Sequence, residues 1–322
     1  MRRNAVYGVS GGCLNTKVMG NIRFQGCGTA LVTPFQANGA VDEKTLAALV
    51  NWQIEEGIHF LVPCGTTGES PTLGHDEYLR VVEIVVRTAN GRVPIMAGAG
   101  GNDTAKVIAL TAELKSLGVD GILSVSPYYN KPSQEGIYRH YRAIAESTDI
   151  PVIVYNVPGR TGSNITPDTL MRLSEIPNIA GVKEASGDIT QIGEICTRAP
   201  ENFTVLSGDD MLTLPVIALG GRGVISVAAN EVPGMMAKFT TACLENRRDE
   251  AREWNRKLYP LMKVNFVEAN PIPVKAALVM MGKIGEVYRL PLVPLSEGAR
   301  DKVAATLGAL GLISSSQYGN QL

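Results

Sequence analysis

Eight short apolar runs, each followed by a segment with helical periodicity, constrain the fold of this chain more than any other feature. The runs span residues 28–33, 60–64, 94–98, 121–126, 151–155, 179–183, 204–207 and 223–227. They are continuous and rich in Val, Ile and Leu, as is typical of strands that are covered on both faces. The pattern predicts a parallel sheet whose strands alternate with helices.

Amphipathic segments separate the apolar runs. The clearest of them span residues 42–56, 76–89, 104–117 and 134–146. Asp42 and Thr104 are predicted N-caps, because their side-chain oxygens can accept hydrogen bonds from the first free N–H groups of a helix. Predicted helix C-termini fall at Gly57, Gly91 and Gly118, since glycine readily adopts the left-handed conformation that ends many helices.

Eight strand–helix units predict a closed α/β fold, the (β/α)₈ TIM barrel, with its helices outside. The runner-up is a doubly wound open sheet, which normally has a glycine-rich dinucleotide-binding turn after its first strand. Residues 28–35 contain no G-x-G-x-x-G motif, and this favours the barrel.

The chain is predicted to consist of three parts. Residues 1–21 contain no Asp or Glu; since they lack an amphipathic period and a signal-peptide core, we expect a disordered tail rather than a transit peptide. Residues 22–246 should form the barrel, and residues 247–322 a C-terminal helical region. An apolar stripe at helical spacing near this junction is explained by packing onto the barrel or a neighbouring subunit. Its members are Met236, Phe239, Cys243, Trp254, Leu258 and Leu261.

Composition argues against several classes of function. The formal net charge is -1 and no basic block is present, so neither nucleic acid nor a membrane surface is an expected partner. No apolar run reaches the roughly 18 residues that a membrane helix needs. The 5 cysteines include no C-x-x-C pair and the 3 histidines lie far apart, so no metal site is expected. Sparse cysteine fits a reducing, cytoplasmic location.

Lys183 is the most informative polar residue, because active sites of (β/α)₈ enzymes lie at the C-terminal ends of the strands. It ends the sixth apolar run, and burial there would favour the free, nucleophilic amine over the ammonium. The alternative is a lysine that reaches water or pairs with a carboxylate, and position alone leaves both open. Glu184 should point to the opposite face, as side chains alternate along a strand, and so be a structural partner.

Other polar residues should gather at the same end of the barrel. Tyr155 ends the neighbouring fifth run, so its phenol could transfer protons at the amine of Lys183. Thr66 and Thr67 lie between two glycines and could bind a carboxylate through hydroxyl and N–H groups. Arg160 could hold a second carboxylate through two parallel hydrogen bonds. Each has an ordinary alternative: a buried tyrosine, a Gly/Thr turn or an exposed loop arginine.

Three short motifs in strand order resemble a single superfamily. They are GTTGE at residues 65–69, YNVP at residues 155–158 and GVKE at residues 181–184. They are similar to motifs of the dihydrodipicolinate synthase / N-acetylneuraminate lyase superfamily of pyruvate-dependent class I aldolases, and the resemblance covers residues 24–294. Within it the closest resemblance is to the dihydrodipicolinate synthase branch. The resemblance implies a lyase with no organic cofactor and no catalytic metal.

A reaction follows from this resemblance. It implies that pyruvate forms an imine with Lys183, and that the derived enamine attacks the aldehyde of L-aspartate 4-semialdehyde. The product is 4-hydroxy-tetrahydrodipicolinate, in lysine and diaminopimelate biosynthesis. Tyr155, Thr66 and Tyr129 match the proton relay of the superfamily, with Tyr129 contributed across a dimer interface. The implied assembly is a homotetramer, a dimer of dimers.

The resemblance also implies how the substrates bind. Thr67 and the backbones of Gly208 and Ile225 match the pyruvate pocket, and Arg160 matches the residue that holds the semialdehyde carboxylate. One alternative is a sibling aldolase or dehydratase acting on N-acetylneuraminate or a 2-keto-3-deoxy acid, but a sugar-acid site needs hydroxyl partners where Arg160 stands. Another is a non-catalytic sensor of 2-oxo acids, which would not need Lys183 together with its predicted proton relay.

Regulated members of the superfamily bind free lysine in a pocket at the dimer interface. The matching positions here are Ser70, Pro71, His75, Tyr78, Asn102, Lys106 and Tyr128. Lys106 stands where regulated members carry a glutamate that pairs with the amino group of the effector, so repulsion replaces attraction. Tyr78 stands in place of a histidine. The resemblance therefore predicts weak inhibition by lysine, or none.

Overall fold

The computed structural model describes residues 24–314, and these contain eight parallel strands that alternate with helices. The strands are Gly26–Ala30 (β1), Phe60–Val62 (β2), Met96–Gly98 (β3), Gly121–Val125 (β4), Val152–Asn156 (β5), Ile179–Glu184 (β6), Thr204–Ser207 (β7) and Gly223–Ser226 (β8). Their order in the sheet is β2-β1-β8-β7-β6-β5-β4-β3. A parallel bridge between Leu61 and Ile95 joins the two ends of the sheet. The predicted (β/α)₈ barrel is confirmed.

The helices cover the outside of the barrel and continue beyond its last strand. Within the described residues they are Glu43–Glu55 (α1), His75–Ala89 (α2), Thr104–Ser116 (α3), Gln134–Glu146 (α4), Pro158–Thr161 (α5), Pro167–Ser174 (α6), Ile189–Arg198 (α7), Thr213–Ala218 (α8), Pro233–Leu244 (α9), Arg248–Val264 (α10), Ile272–Met280 (α11) and Glu297–Ala309 (α12). None of these helices has the length and hydropathy that crossing a bilayer requires. The predicted tail at residues 1–21 lies outside the described residues, as do residues 315–322, so the division into three parts stays a prediction.

Every strand except β7 differs from its predicted bounds by one to three residues at one end or at both. Strand β6 extends to Glu184, one residue further than its apolar run, because that residue still pairs with Asn156 of β5 and Ser207 of β7. The hydrogen-bond ladder therefore decides where a strand ends, and the apolar pattern only approximates it.

The predicted helix caps are right for α1 and wrong for α3. Asp42 caps α1 and accepts a hydrogen bond from the N–H of Thr45. Helix α3 is capped by Asp103, not Thr104, because the carboxylate accepts from two backbone N–H groups of the first turn. Thr104 is the first residue of the helix, and its hydroxyl lies 2.9 Å from Nδ1 of His140.

Large apolar side chains fill one end of the barrel interior. A Cβ on Gly28 would lie 2.1 Å from the Phe60 ring, so only glycine leaves room for that ring. Phe24 packs edge-on against Phe60, with ring centroids 5.6 Å apart. Because Phe24 precedes β1, these rings occupy the end opposite to the carboxyl ends of the strands, and polar chemistry is confined to the other end.

The apolar stripe that the sequence shows near residue 246 lies on α9 and α10. Five of its members are buried, and the half-buried Trp254 packs against the same core. Helix α9 packs on β1, and α10 packs on α9. The predicted packing of this stripe onto the barrel is confirmed.

Candidate active site

Lys183 lies at the carboxyl end of β6 and is 6% exposed. It is paired in register with Tyr155 of β5, and its Nζ lies 4.3 Å from the centroid of the Tyr155 ring. Within residues 24–314, no carboxylate forms an ion pair with this amine. A buried amine beside a phenol, without a counter-ion, is suited to attack a carbonyl carbon.

Glu184 is engaged elsewhere, although it follows Lys183 directly. Its two carboxylate oxygens accept hydrogen bonds from Nδ2 of Asn156 at 3.2 and 3.0 Å, and one of them also accepts from the N–H of Ser186 at 2.7 Å. Burial raises its pKa, and the hydrogen bonds from Asn156 and Ser186 oppose that rise. These contacts join the carboxyl ends of β5 and β6. They are the contacts of a structural residue, as the position of Glu184 on the strand suggests.

Thr66 and Thr67 lie in the loop after β2, between two residues with left-handed backbones. Cys64 has a φ of 54° and Glu69 a φ of 55°, conformations that cost a non-glycine residue on the order of 1 kcal/mol each. Gly68 has backbone atoms 3.1 Å from the place where a Cβ would stand. The loop is therefore tight and strained, and the surrounding structure must hold it.

One cavity of about 140 Å³ brings most of the predicted site residues together. The predicted residues that line it are Thr66, Thr67, Tyr155, Arg160, Lys183 and Gly208. Within residues 24–314, no group of three or more His, Cys, Asp or Glu residues could hold a metal ion.

Gly208 contributes space to this cavity. A Cβ there would lie 3.2 Å from Cε of Lys183 and 2.5 Å from Cβ of Ala185. Its N–H already donates to the carbonyl of Glu184 at 2.8 Å, so it is not free for a substrate. Ile225 is 1% exposed in the barrel interior and is not among the residues that line the cavity.

Asn270 is a site residue that sequence reasoning missed. It lines the cavity, and its Nδ2 donates to Oγ1 of Thr67 at 3.0 Å. Its carbonyl accepts a hydrogen bond from Nη2 of Arg160 at 3.3 Å. Because Asn270 joins the residues predicted to bind the two carboxylates, it fixes their relative positions. The only signal in the sequence is a polar residue at the start of the segment NPIP, residues 270–273.

Asp209 and Phe266 also line the cavity without having been predicted. Burial raises the pKa of the Asp209 carboxyl, which is half-buried and accepts a hydrogen bond from the N–H of Met211. The ring of Phe266 is 42% exposed. These two residues add one acidic and one apolar surface to the wall of the site.

A larger cavity of about 430 Å³ is lined by Thr66 and Tyr155 and also by residues of the predicted effector pocket. Those that line it are Ser70, Pro71, Tyr78 and Tyr128. The hydroxyl of Tyr78 donates to the carbonyl of Gly98 at 2.5 Å, and burial raises its pKa well above the ordinary value. The hydroxyl proton of Tyr78 is therefore already used in a hydrogen bond within the protein.

The remaining predicted effector residues do not line that cavity within the described chain. His75 lies 3.3 Å from Glu113 on the surface. The side chain of Lys106 is 85% exposed, and its Nζ is 3.9 Å from Asp103. Asn102 donates a hydrogen bond to the carbonyl of Tyr128 at 3.1 Å. Only part of the predicted pocket is thus assembled in one chain.

Tyr129 lies outside both cavities. It is 89% exposed and has a φ of 72°. Its ring is held in solvent on a left-handed backbone, a conformation that costs a non-glycine residue on the order of 1 kcal/mol. One chain by itself does not bring Tyr129 to Lys183 and Tyr155.

Comparison with known proteins gives consistent matches over most of the chain. The profile of the Dihydrodipicolinate synthetase family matches residues 23–310. A 4-hydroxy-tetrahydrodipicolinate synthase of Koribacter versatilis is 54% identical over 293 residues, which are 90% of this chain and 98% of that protein.

Solved structures agree with these sequence matches. The crystal structure of dihydrodipicolinate synthase from Aquifex aeolicus superposes with a TM-score of 0.89 at 45% identity, covering 91% of this chain and 100% of that chain. A chloride-inhibited dihydrodipicolinate synthase from Acinetobacter baumannii, complexed with pyruvate, has a TM-score of 0.88 at 45% identity, covering 90% of this chain and 99% of that chain.

Proposed function

The chain belongs to the dihydrodipicolinate synthetase family, and on this premise we propose that it condenses pyruvate with L-aspartate 4-semialdehyde. The product is 4-hydroxy-tetrahydrodipicolinate, and the enzyme is a lyase of lysine and diaminopimelate biosynthesis. The observation that carries the proposal is the buried amine of Lys183, 4.3 Å from the Tyr155 ring and without a counter-ion among residues 24–314. A cytoplasmic location stays a prediction from the cysteine pattern.

The first half of the reaction activates pyruvate. The Nζ of Lys183 attacks the ketone carbon, and the carbinolamine loses water to give an imine. The hydroxyls of Tyr155 and Thr66 line the same cavity and transfer the protons that this step requires. Thr67 binds the carboxylate, with its hydroxyl held by Asn270. Loss of a methyl proton then gives the enamine.

The second half forms the carbon–carbon bond. The enamine carbon attacks the aldehyde of the second substrate, whose carboxylate pairs with Arg160. The amino group of that substrate then attacks the imine carbon, so that the ring closes and Lys183 leaves as a free amine. One water is released overall, and protein side chains supply every group that this chemistry needs.

A coupled assay tests the proposed substrate. The purified chain with pyruvate should turn over aspartate semialdehyde far faster than sugar aldehydes such as N-acetylmannosamine. Preference for a sugar aldehyde would assign the chain to a sibling aldolase. A binding module would turn over neither acceptor.

Arg160→Ala should lower kcat/KM for aspartate semialdehyde more than tenfold, because a charge-assisted contact is worth roughly 1.5–3 kcal/mol. Pyruvate imine formation should change little, since Arg160 serves the second carboxylate. Steady-state kinetics and borohydride trapping measure the two steps. Arg139→Ala, which removes an exposed arginine paired with Glu135 on α4, is the control. Equal damage to both steps would mean that Arg160 has a structural role.

The active unit is proposed to contain at least two chains, and to be a dimer of dimers. The exposed Tyr129, which does not line the cavity of its own chain, supports this assembly. Sedimentation at assay concentration should therefore show no monomer in the active fraction. A monomer with full activity would contradict it.

Lysine should inhibit this enzyme weakly or not at all. The exposed cation of Lys106 cannot attract the amino group of the effector, and the hydroxyl of Tyr78 already donates to Gly98. A lysine titration at sub-saturating pyruvate measures the effect. Lys106→Glu, which supplies a carboxylate, should increase sensitivity. Strong inhibition of the unmodified enzyme at sub-millimolar lysine would show this prediction wrong.

A further inference from the structure

Lys275 of α11 is a second buried lysine, and the proposed reaction does not use it. Its side chain is 1% exposed. The Nζ donates to Oε1 of Glu69 at 2.5 Å and to the carbonyl of Val287 at 2.8 Å, and it lies 4.5 Å from the centroid of the Phe35 ring. Burial lowers the pKa of Lys275, and Glu69 opposes that shift. This lysine is therefore paired, unlike Lys183.

Glu69, the partner of Lys275, is the last residue of the GTTGE segment. Its side chain is 0% exposed and its backbone is left-handed. A buried ion pair adds little net stability, because desolvation of both charges offsets their attraction. A strained backbone persists only where its surroundings over-determine it. The Lys275–Glu69 ion pair is therefore better explained by its effect on the conformation of the loop than by a contribution to the free energy of unfolding.

Three links join this loop and the turn that follows it to the C-terminal region. Besides the ion pair, Asn270 donates to Oγ1 of Thr67 at 3.0 Å. Beyond the loop, Nη1 of Arg289 donates to the carbonyl of Thr72 at 2.7 Å. The ion pair lies inside the protein. Neither Glu69 nor Lys275 lines the cavity of about 140 Å³ that contains Lys183, whereas Glu69 lines the neighbouring cavity of about 430 Å³ together with Thr66 and Arg160.

We propose that Lys275 and Glu69 are positioning residues whose ion pair sets the loop that presents Thr66 and Thr67 to pyruvate. The C-terminal region then takes part in pyruvate binding without touching pyruvate. The inference rests on the proposed function, because it takes pyruvate as the molecule that the two threonines bind. Loosening the loop should weaken pyruvate binding and leave the semialdehyde contact of Arg160 nearly unchanged.

The double variant Glu69→Gln/Lys275→Met separates positioning from stability. It removes both charges with little change in side-chain length, so no unpaired charge is left buried, and such replacements are often neutral for stability. The matched control is Lys115→Met/Asp149→Asn, which removes an exposed ion pair of 2.7 Å on the outside of the barrel. Circular dichroism and thermal unfolding should show both variants folded.

The test is borohydride trapping of pyruvate on Lys183 across a pyruvate titration, with KM measured for both substrates. We expect half-saturating pyruvate to rise about tenfold or more in the double variant, as loss of alignment in a site commonly costs this much. The KM for aspartate semialdehyde should change less than about threefold, and the control should match the unmodified protein. If the double variant does not fold, Glu69→Asp, which keeps both charges and shortens one side chain of the pair, should raise half-saturating pyruvate at least about threefold.

Three results would overturn the inference in distinguishable ways. Unchanged half-saturating pyruvate in a folded variant, with normal trapping in the unmodified protein, would overturn this inference alone. Absence of trapping in the unmodified protein would overturn the proposed function and this inference with it. An equal rise in the KM of both substrates would reduce the ion pair to a structural role.

Discussion

Replacing Lys183 by Arg should lower kcat by at least about 10³-fold in a protein that still folds. Arginine keeps the positive charge and most of the length, but its guanidinium stays protonated and cannot form the imine. The coupled assay measures the loss. Lys257→Arg is the control, because the Lys257 amine also lies over an aromatic ring, 5.3 Å from that of Trp254, but on the surface. Activity of Lys183→Arg within tenfold of the unmodified enzyme would remove Lys183 from the mechanism.

Tyr155→Phe should lower kcat by about 10²–10⁴-fold, the usual contribution of a positioned proton-transfer group. The ring remains, so its packing in the barrel interior beside Ile153 and Leu206 should be preserved. Steady-state kinetics at saturating substrates measure the effect. Tyr138→Phe is the control, since it removes the hydroxyl of a half-buried tyrosine on α4, outside the barrel, whose ring packs against Arg172 at 4.0 Å. Similar losses in the two variants would mean that the hydroxyl of Tyr155 is structural.

The fold and the centre of the site were predictable because their signals are local. Each strand is a continuous apolar run, and the chemistry-bearing residue follows at its carboxyl end. Position therefore places Lys183 and Tyr155 at the carboxyl ends of neighbouring strands, and the parallel register sets them side by side. Their catalytic roles rest on the family resemblance and are proposed. Several observed strand ends differ from the predicted ones, because strand pairing rather than the apolar pattern decides them. Lys183 and Tyr155 nevertheless lie at the carboxyl ends of their strands, as predicted.

The supports of the site were not predictable, because they come from distant parts of the chain. Asn270 is 203 residues from Thr67, and Lys275 is 206 residues from Glu69. A polar residue before a proline and a lysine in an apolar helix carry no periodic signal that identifies their partners. The space that Gly208 leaves beside the Lys183 side chain was not predictable for a related reason, because that close approach depends on packing between neighbouring strands.

The two buried lysines show why burial alone does not identify a nucleophile. Lys275 is enclosed by Glu69, a carbonyl and an aromatic ring, which together satisfy an ammonium. Lys183 has the Tyr155 ring beside it and a small cavity in front of it. The surroundings of each amine, rather than its burial, are the basis on which we propose a structural role for Lys275 and a chemical role for Lys183.

Borohydride reduction in the presence of pyruvate, followed by mass spectrometry of the digested protein, tests the central claim most directly. The account predicts a pyruvate-derived mass on the peptide that carries Lys183, dependent on both reagents, with the peptide that carries Lys275 unmodified. Trapping at a different lysine, or no covalent adduct at saturating pyruvate, would contradict it.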